Sequence, residues 1–305
     1  MENMKTARMG QHVLEFEDST DVGDFFVEKA RVELRETPEL RESALLEMRK
    51  LIEGLENFNM PWEDDMYLLP FLRPCKFYPQ SALKQLLHWC NFIEKNPKLC
   101  KNLRPSEEGN VFKNNIFTVL PYRSQHGRRI LLIEAGKKWN TKQVSINEII
   151  RGIQIIVLSS LREPKTQIAG ADIILDVDGL SLSHVWQFSP SLAKTILEWV
   201  QECMPCRLKS VHIVNQPFIF NMLFNIFKPF IGEKLRNRIH FHGDNRTSLL
   251  EYIDPKVVPT QYGGELKMET CYGKELHELI CKYEEDFERA NKVGFIKKES
   301  ASKKK

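Results

Sequence analysis

The sequence contains no run near the roughly 18 consecutive apolar residues that a membrane-crossing helix requires, so contact with a bilayer would have to be peripheral. Its first ten residues, MENMKTARMG, lack the apolar core of a secretory leader, and a cytoplasmic protein is expected. An excess of either charge is also missing. The 44 basic and 41 acidic residues leave a formal net charge of +3, so bulk electrostatics do not favour nucleic acid as a partner. Cysteines number seven, an odd count scattered along the chain, which in a reducing compartment reads as buried thiols. Cys203-Met-Pro-Cys206 has no second ligand pair, so no metal site is expected. Glycine-rich phosphate loops and the GxSxG nucleophile signature are absent, and no enzymatic activity is expected. Asp176 and Asp178 close an apolar run and read as turn formers; His240 and His242 alternate on one strand face and read as structural histidines.

What is present changes character near residue 107. Before it, residues 25–106 read as helices. Thr37-Pro38-Glu39 is an N-cap followed by proline at the first helical position. It opens a helix over 40–55 whose Leu40, Ala44, Leu45, Met48, Leu51, Ile52 and Leu55 share one face. A further helix is expected over 81–92. Beyond 107, short β-rich runs at 115–120, 129–134, 171–177, 210–214 and 238–242 alternate with helical segments. That alternation predicts a mostly parallel sheet with crossover helices. Residues 15–47 hold eleven acidic and four basic side chains, read as a solvated helical face. Residues 1–24 are expected to be flexible, 267–290 to form a C-terminal helix, and 291–305 to be a basic disordered tail.

One segment stands apart, PFIFNMLFNIFKPFIG at 217–232. Ten of the fourteen residues from 218 to 231 are large and apolar, and five are phenylalanine. Asn221, Asn225 and Lys228 make a single narrow polar stripe, the reverse of a normal surface helix. These residues fit a buried core helix or a lid that covers an apolar ligand and meets lipid when it lifts. Arg207 and Lys209 precede it, and Lys234, Arg236 and Arg238 follow it. Ile150, Ile153 and Val157 fall on one helical face; sheet packing and a cavity lining explain them equally well.

The runs VHIVNQPFIFNMLFNIFKPFIGEKLRNRIHFHGDN (211–245) and LLEYIDPKVVPTQYGG (249–264) resemble the CRAL-TRIO family of lipid-transfer proteins, chiefly its tocopherol-transfer and retinaldehyde-binding branches. The likeness extends through ILDVDGLSLSHVWQFSPSLAK (174–194) and FLRPCKFYPQSA (71–82). The resemblance implies an α/β protein: a helical N-terminal subdomain (25–106), then a lipid-binding domain (107–266). In that domain a mostly parallel sheet floors an apolar pocket under a helical gate. It places Ile150, Ile153, Val157, Leu175, Leu182, Ile196, Val200, Met204, Leu208 and Val211 along the pocket. Phe220, Leu223 and Phe227 are expected to face inward from the gate, and Phe224 to face the membrane. Arg207, Lys209, Lys234 and Arg238 fall on phosphoinositide-contacting positions, with Arg236 beside them.

Two departures bear on the cargo. Ile153 and Val157 stand where tocopherol-type members carry small hydroxyl residues, which favours a retinoid-, carotenoid- or sterol-like lipid over tocopherol. Arg73-Pro74-Cys75 lacks one cation of the family segment. The expectation is a monomer without cofactor that binds a small hydrophobic lipid, tocopherol-, retinoid- or carotenoid-like. It would carry this cargo between membranes and release it at phosphoinositide-containing surfaces. The alternative is a phosphoinositide-dependent adaptor whose bound lipid is regulatory.

Overall fold

Strand structure begins earlier than the sequence reading placed it. In the computed structural model, which describes residues 5–296, β1 (Thr6–Met9) and β2 (His12–Glu15) form an antiparallel hairpin. Gly10, at φ 63°, supplies the left-handed turn. Ala7, Met9, Leu14 and Phe16 are buried together with Phe112 and Leu276. The expected flexible 1–24 segment is therefore corrected across this hairpin. The period-two spacing of those four apolar residues around Gly10 is the sequence signal for it.

The helical part follows its caps. Pro38–Glu53 starts where Thr37 accepts a hydrogen bond from the Leu40 amide, and it buries Ala44, Leu45, Met48 and Ile52. Beyond it lie β3 (Phe58–Asn59) and the helix Pro79–Lys95, which buries Leu86, Trp89 and Phe92 in the same core.

The main sheet comprises β4 (Phe117–Val119), β5 (Arg129–Glu134), β6 (Ala171–Asp176), β7 (Leu208–Val214) and β8 (Ile239–Gly243). They lie in that order; β4 is antiparallel to β5 and the rest are parallel. Helices Ile146–Ser160, Pro190–Glu198 and Phe220–Phe227 make the three crossovers. Ile130, Leu132, Ile174 and Val214 are buried on the opposite face beneath Leu249, Ile253 and Val258. Cover on both faces explains why these strands are almost continuously apolar. The C-terminal segment forms two helices, Gly273–Cys281 and Glu284–Ala290, where one was expected. The chain turns at Tyr283, whose ring is buried near Phe16. It then ends in β9 (Gly294–Phe295), paired with β3. The rest of the tail read as disordered, from 297, lies outside the described residues.

On the sheet face away from the crossovers, the strand histidines form a buried polar chain. His212 Nδ1 lies 3.0 Å from His242 Nε2, and His212 Nε2 lies 2.7 Å from Ser210 Oγ, which donates to Asp172 at 2.6 Å. The chain satisfies every member when both rings are neutral. Asp172 accepts from the serine rather than from a histidine, and all three residues are buried, so the arrangement does not make a nucleophile. Burial, then the neighbouring His242 and His240, pulls the His212 pKa down to about 3. A lowered folded-state value means stability that is present above the unfolded histidine pKa and lost as pH falls below it. Thermal and denaturant melts should show stability falling by about 2 kcal/mol between pH 7 and pH 5. His212→Gln should flatten that slope.

Candidate functional site

Three features meet on the crossover side of the sheet. The first is an apolar cavity of about 140 Å³ between β5–β7 and the helix Ile146–Ser160. Ser145 and Glu148 start that helix with a reciprocal capping box, which fixes the rotation that aims Ile150, Ile153 and Val157 into the cavity. Ile196, Val200, Met204 and Leu208 also line it, so seven of the expected pocket positions come together. Gln154 and Thr195 are polar side chains in this wall that the sequence reading missed. Neither belongs to a motif that marks it: Gln154 lies between Ile153 and Ile155, and Thr195 follows Lys194 on an amphipathic helix. Gln154 spends one amide hydrogen on the Leu99 carbonyl, at 2.8 Å.

The second feature is the helix expected to act as the gate, Phe220–Phe227, continued by a 3-10 turn over Lys228–Phe230. Phe220, Leu223 and Phe224 pack on the sheet beside Leu175, Val211 and Ile213. Leu175 and Val211 thus lie under the gate rather than in the residual cavity. Phe227 meets Phe188 edge-on at 5.3 Å. Phe224 was expected to face outward; it lies four residues from Phe220, on the same inner face, and its ring meets Phe241 at 5.2 Å. Leu182, expected in the pocket, is instead 43% exposed. It starts the short helix Leu182–Val185, whose inner positions are taken by His184 and Val185. The outward apolar residues are Phe218 (88% exposed), Met222, and Trp186 (75% exposed) on the neighbouring segment. Trp186 carried no sequence signal.

Side-chain amides tether both ends of the gate. At its start Asn215, at φ 54°, donates to Asp176 Oδ1 at 3.0 Å. Asp176 also accepts from the Asp178 amide and the Tyr262 hydroxyl, so it fixes the turn and the hinge together. At the far end Gln201 accepts from the Gly232 amide at 2.8 Å and donates to the Phe230 carbonyl at 3.1 Å. Gln201 lies on a π-turn over Trp199–Cys203, an irregularity that swings its side chain toward the gate. Cys203 and Cys206, beside it, have thiols pushed up to about 12 by burial.

The third feature is an open cleft of about 960 Å³ lined by Arg207, Lys209, Lys234 and Arg238, with Lys76 and Lys84 on its helical side. The backbone of Gly170, at φ 85°, packs so close to the Arg207 carbonyl that any side chain there would collide with it. Arg236 does not join the cluster; it sits two residues from Lys234 on a helical turn, points away, and donates to the Ile231 carbonyl. The cleft also holds an acidic group. Glu33, from the helix Asp24–Leu34, accepts from Arg207 at 2.7 Å and from Lys209 at 3.3 Å. Burial raises the Glu33 carboxyl, but Lys29, Arg207 and Lys209 outweigh it and hold the pKa at about 2. Part of the acidic run read as solvated is therefore a clamp on the basic cleft. Glu36, also in that run, is engaged elsewhere, pairing with buried Arg73 at 2.8 Å.

Cleft and cavity share a wall. Val200, Met204 and Leu208 line both.

Residues 113–264 match the CRAL/TRIO domain model. The alpha-tocopherol transfer protein-like protein of Mus musculus is 35% identical over 238 residues, covering 78% of this chain and 69% of that protein. Clavesin-1 of Pongo abelii is 32% identical over 242 residues, covering 79% and 68%. Clavesin-2 of Homo sapiens is 28% identical over the same length, covering 79% and 74%. Among solved structures, that of Sfh5 aligns over 84% of this chain and 97% of its own at 14% identity and a TM-score of 0.43, too loose a likeness to argue from. By these sequence matches the chain belongs to the CRAL/TRIO domain family.

Proposed function

We propose that this protein binds a small apolar lipid, tocopherol-, retinoid- or carotenoid-like, and carries it between membranes. It unloads at phosphoinositide-containing surfaces, where the gate lifts. The observation that carries the reading is the gate itself. One face covers the apolar sheet at Leu175 and Val211, the other presents Phe218 and Met222, and each end is held by a few amide hydrogen bonds. Such a helix can leave the sheet for an equally apolar medium at low cost. The basic cleft next to it attracts the phosphates of an anionic bilayer, at about 1 kcal/mol per cation near the surface. The cavity wall is apolar apart from Gln154, Thr195 and the Cys100 thiol, which favours cargo of low polarity. The names of the tocopherol transfer protein-like relatives fit the same reading.

A phosphoinositide-dependent adaptor would need a free surface for a partner protein, and the acidic N-terminal region is the candidate. Glu33 and Glu36 are instead engaged within the chain, which favours the carrier.

Protein loaded with a fluorescent tocopherol or retinoid analogue should move it between vesicles, faster when acceptor vesicles contain a phosphoinositide. Gln201→Ala, which frees the far end of the gate, should speed transfer by about threefold, the effect of losing roughly one net hydrogen bond. The carrier reading fails if the loaded protein moves no cargo.

A further inference from the structure

Among the described residues, seven that are not glycine adopt a left-handed backbone. Four are asparagines, Asn57, Asn102, Asn115 and Asn215, a residue that tolerates this conformation well. The other three are Arg35 (φ 64°), Lys76 (φ 51°) and Phe77 (φ 57°), where the same backbone is strained. These three lie together. Arg35 ends the helix Asp24–Leu34, and its guanidinium sits 4.4 Å from the centre of the Tyr78 ring, one residue beyond Phe77.

The strain has a visible result. Phe77 is driven inward: it is 2% exposed, packs in the helical core, and donates its amide to the Leu72 carbonyl at 2.9 Å. Its neighbours on either side, Lys76 and Tyr78, therefore face water, Tyr78 at 52% exposure. Arg35 is exposed beside them, and Val32, three residues earlier, is 65% exposed. Val32 and Lys76 both line the basic cleft, so this group forms the rim of the cleft on its helical side.

Charge at this mouth is one-sided. Lys76, Lys84, Arg207, Lys209, Lys234 and Arg238 line the cleft against two carboxylates, Glu33 and Glu202. Glu33 already holds Arg207 and Lys209. Arg35, Lys76, Lys84 and Lys234 make no ion pair among the described residues.

Unpaired cations beside a water-facing tyrosine and valine match what a bilayer presents at its surface, phosphates first and acyl chains just beneath. A headgroup that enters the cleft also brings its bilayer to the cleft mouth. We propose that this rim is a membrane contact, in which Lys76 and Arg35 meet anionic headgroups while Tyr78 and Val32 enter the interface. The proposal rests on the reading that the protein docks on phosphoinositide-containing membranes. To the gate it adds a second point of attachment, one that does not move. The strained turn serves that contact by aiming Lys76 and Tyr78 outward together.

Co-sedimentation of the full chain with neutral vesicles, with and without a phosphoinositide, tests the rim beside a thermal melt. Val32→Ser combined with Tyr78→Ser should weaken binding to the phosphoinositide vesicles by about tenfold without moving the melt. That ratio should persist at high salt, because the lost contact is apolar. Lys76→Gly removes a cation and relieves the left-handed strain. It should melt at the same temperature or higher while binding falls about fivefold, an effect that fades as salt rises. The rim is overturned if wild type binds these vesicles and the double variant binds them equally, the outcome when the rim faces water or a protein. It is equally overturned if Lys76→Gly binds as tightly as wild type. If wild type gains nothing from the phosphoinositide, the docking reading itself fails and the rim falls with it.

Discussion

Replacing Trp186 and Phe218 together with aspartate is expected to lower binding to anionic vesicles by about a hundredfold while leaving the fold intact. Both rings already face water, at 75% and 88% exposure, so the folded core loses little, and surface changes of this kind usually stay within about 0.5 kcal/mol. At a membrane the balance differs. Moving a large apolar side chain out of water yields about 1.5–3 kcal/mol, so two of them supply at least ~3 kcal/mol, close to a hundredfold. Aspartate adds repulsion from anionic headgroups. Vesicle co-sedimentation reads the binding and thermal melting reads the fold. Undiminished sedimentation with an unchanged melt would show that the membrane meets another face. Phe224→Asp is a poorer test, because Phe224 packs inward against Phe241 and its loss disturbs the gate seat.

Glu33→Gln is expected to tighten binding to phosphoinositide-containing vesicles by about thirtyfold. In the folded protein Glu33 occupies Arg207 and Lys209, so a phosphate must displace a carboxylate before it can use them. Removing that competitor frees two cations, each worth about 1 kcal/mol beside an anionic surface. Lys234→Ala should move the affinity the opposite way, by about fivefold, and both effects should shrink as salt rises. The pH sign follows from the lowered Glu33 carboxyl. The clamp is fully charged above the ordinary glutamate range and is lost only as pH falls from 4.5 toward about 2. Wild type and Glu33→Gln should therefore differ throughout the neutral range. Equal vesicle affinity of the two proteins would mean that the clamp does not compete with phosphate.

Much of the fold was legible because its signals are local. Thr37-Pro38 and Ser145 with Glu148 announce helix starts through bonds that span three residues. The apolar runs of β6 and β7 report cover on both faces. The hairpin was equally local, and its period-two spacing around Gly10 was read as flexible chain. The C-terminal break at Tyr283 was not legible, because it depends on where Phe16, over two hundred residues earlier in the chain, leaves room for a ring.

The sequence by itself determined the α/β alternation and that Ile150, Ile153 and Val157 share one apolar face, since helical and strand periods assign residues to faces without regard to distant partners. The family likeness singled out Arg207, Lys209, Lys234 and Arg238, and these four do line one cleft, while Arg236 beside them does not. Only the tertiary structure decided how those parts engage. The inner face of the helix Phe220–Phe227 includes Phe224, exposed Trp186 lies two residues from the Phe188 that packs on Phe227, and Arg207 and Lys209 are held by a carboxylate from far upstream. Gln201 reaches the far end of that helix from another segment. Each of these is a contact between segments remote in sequence, and periodicity within one segment carries no record of what the other brings.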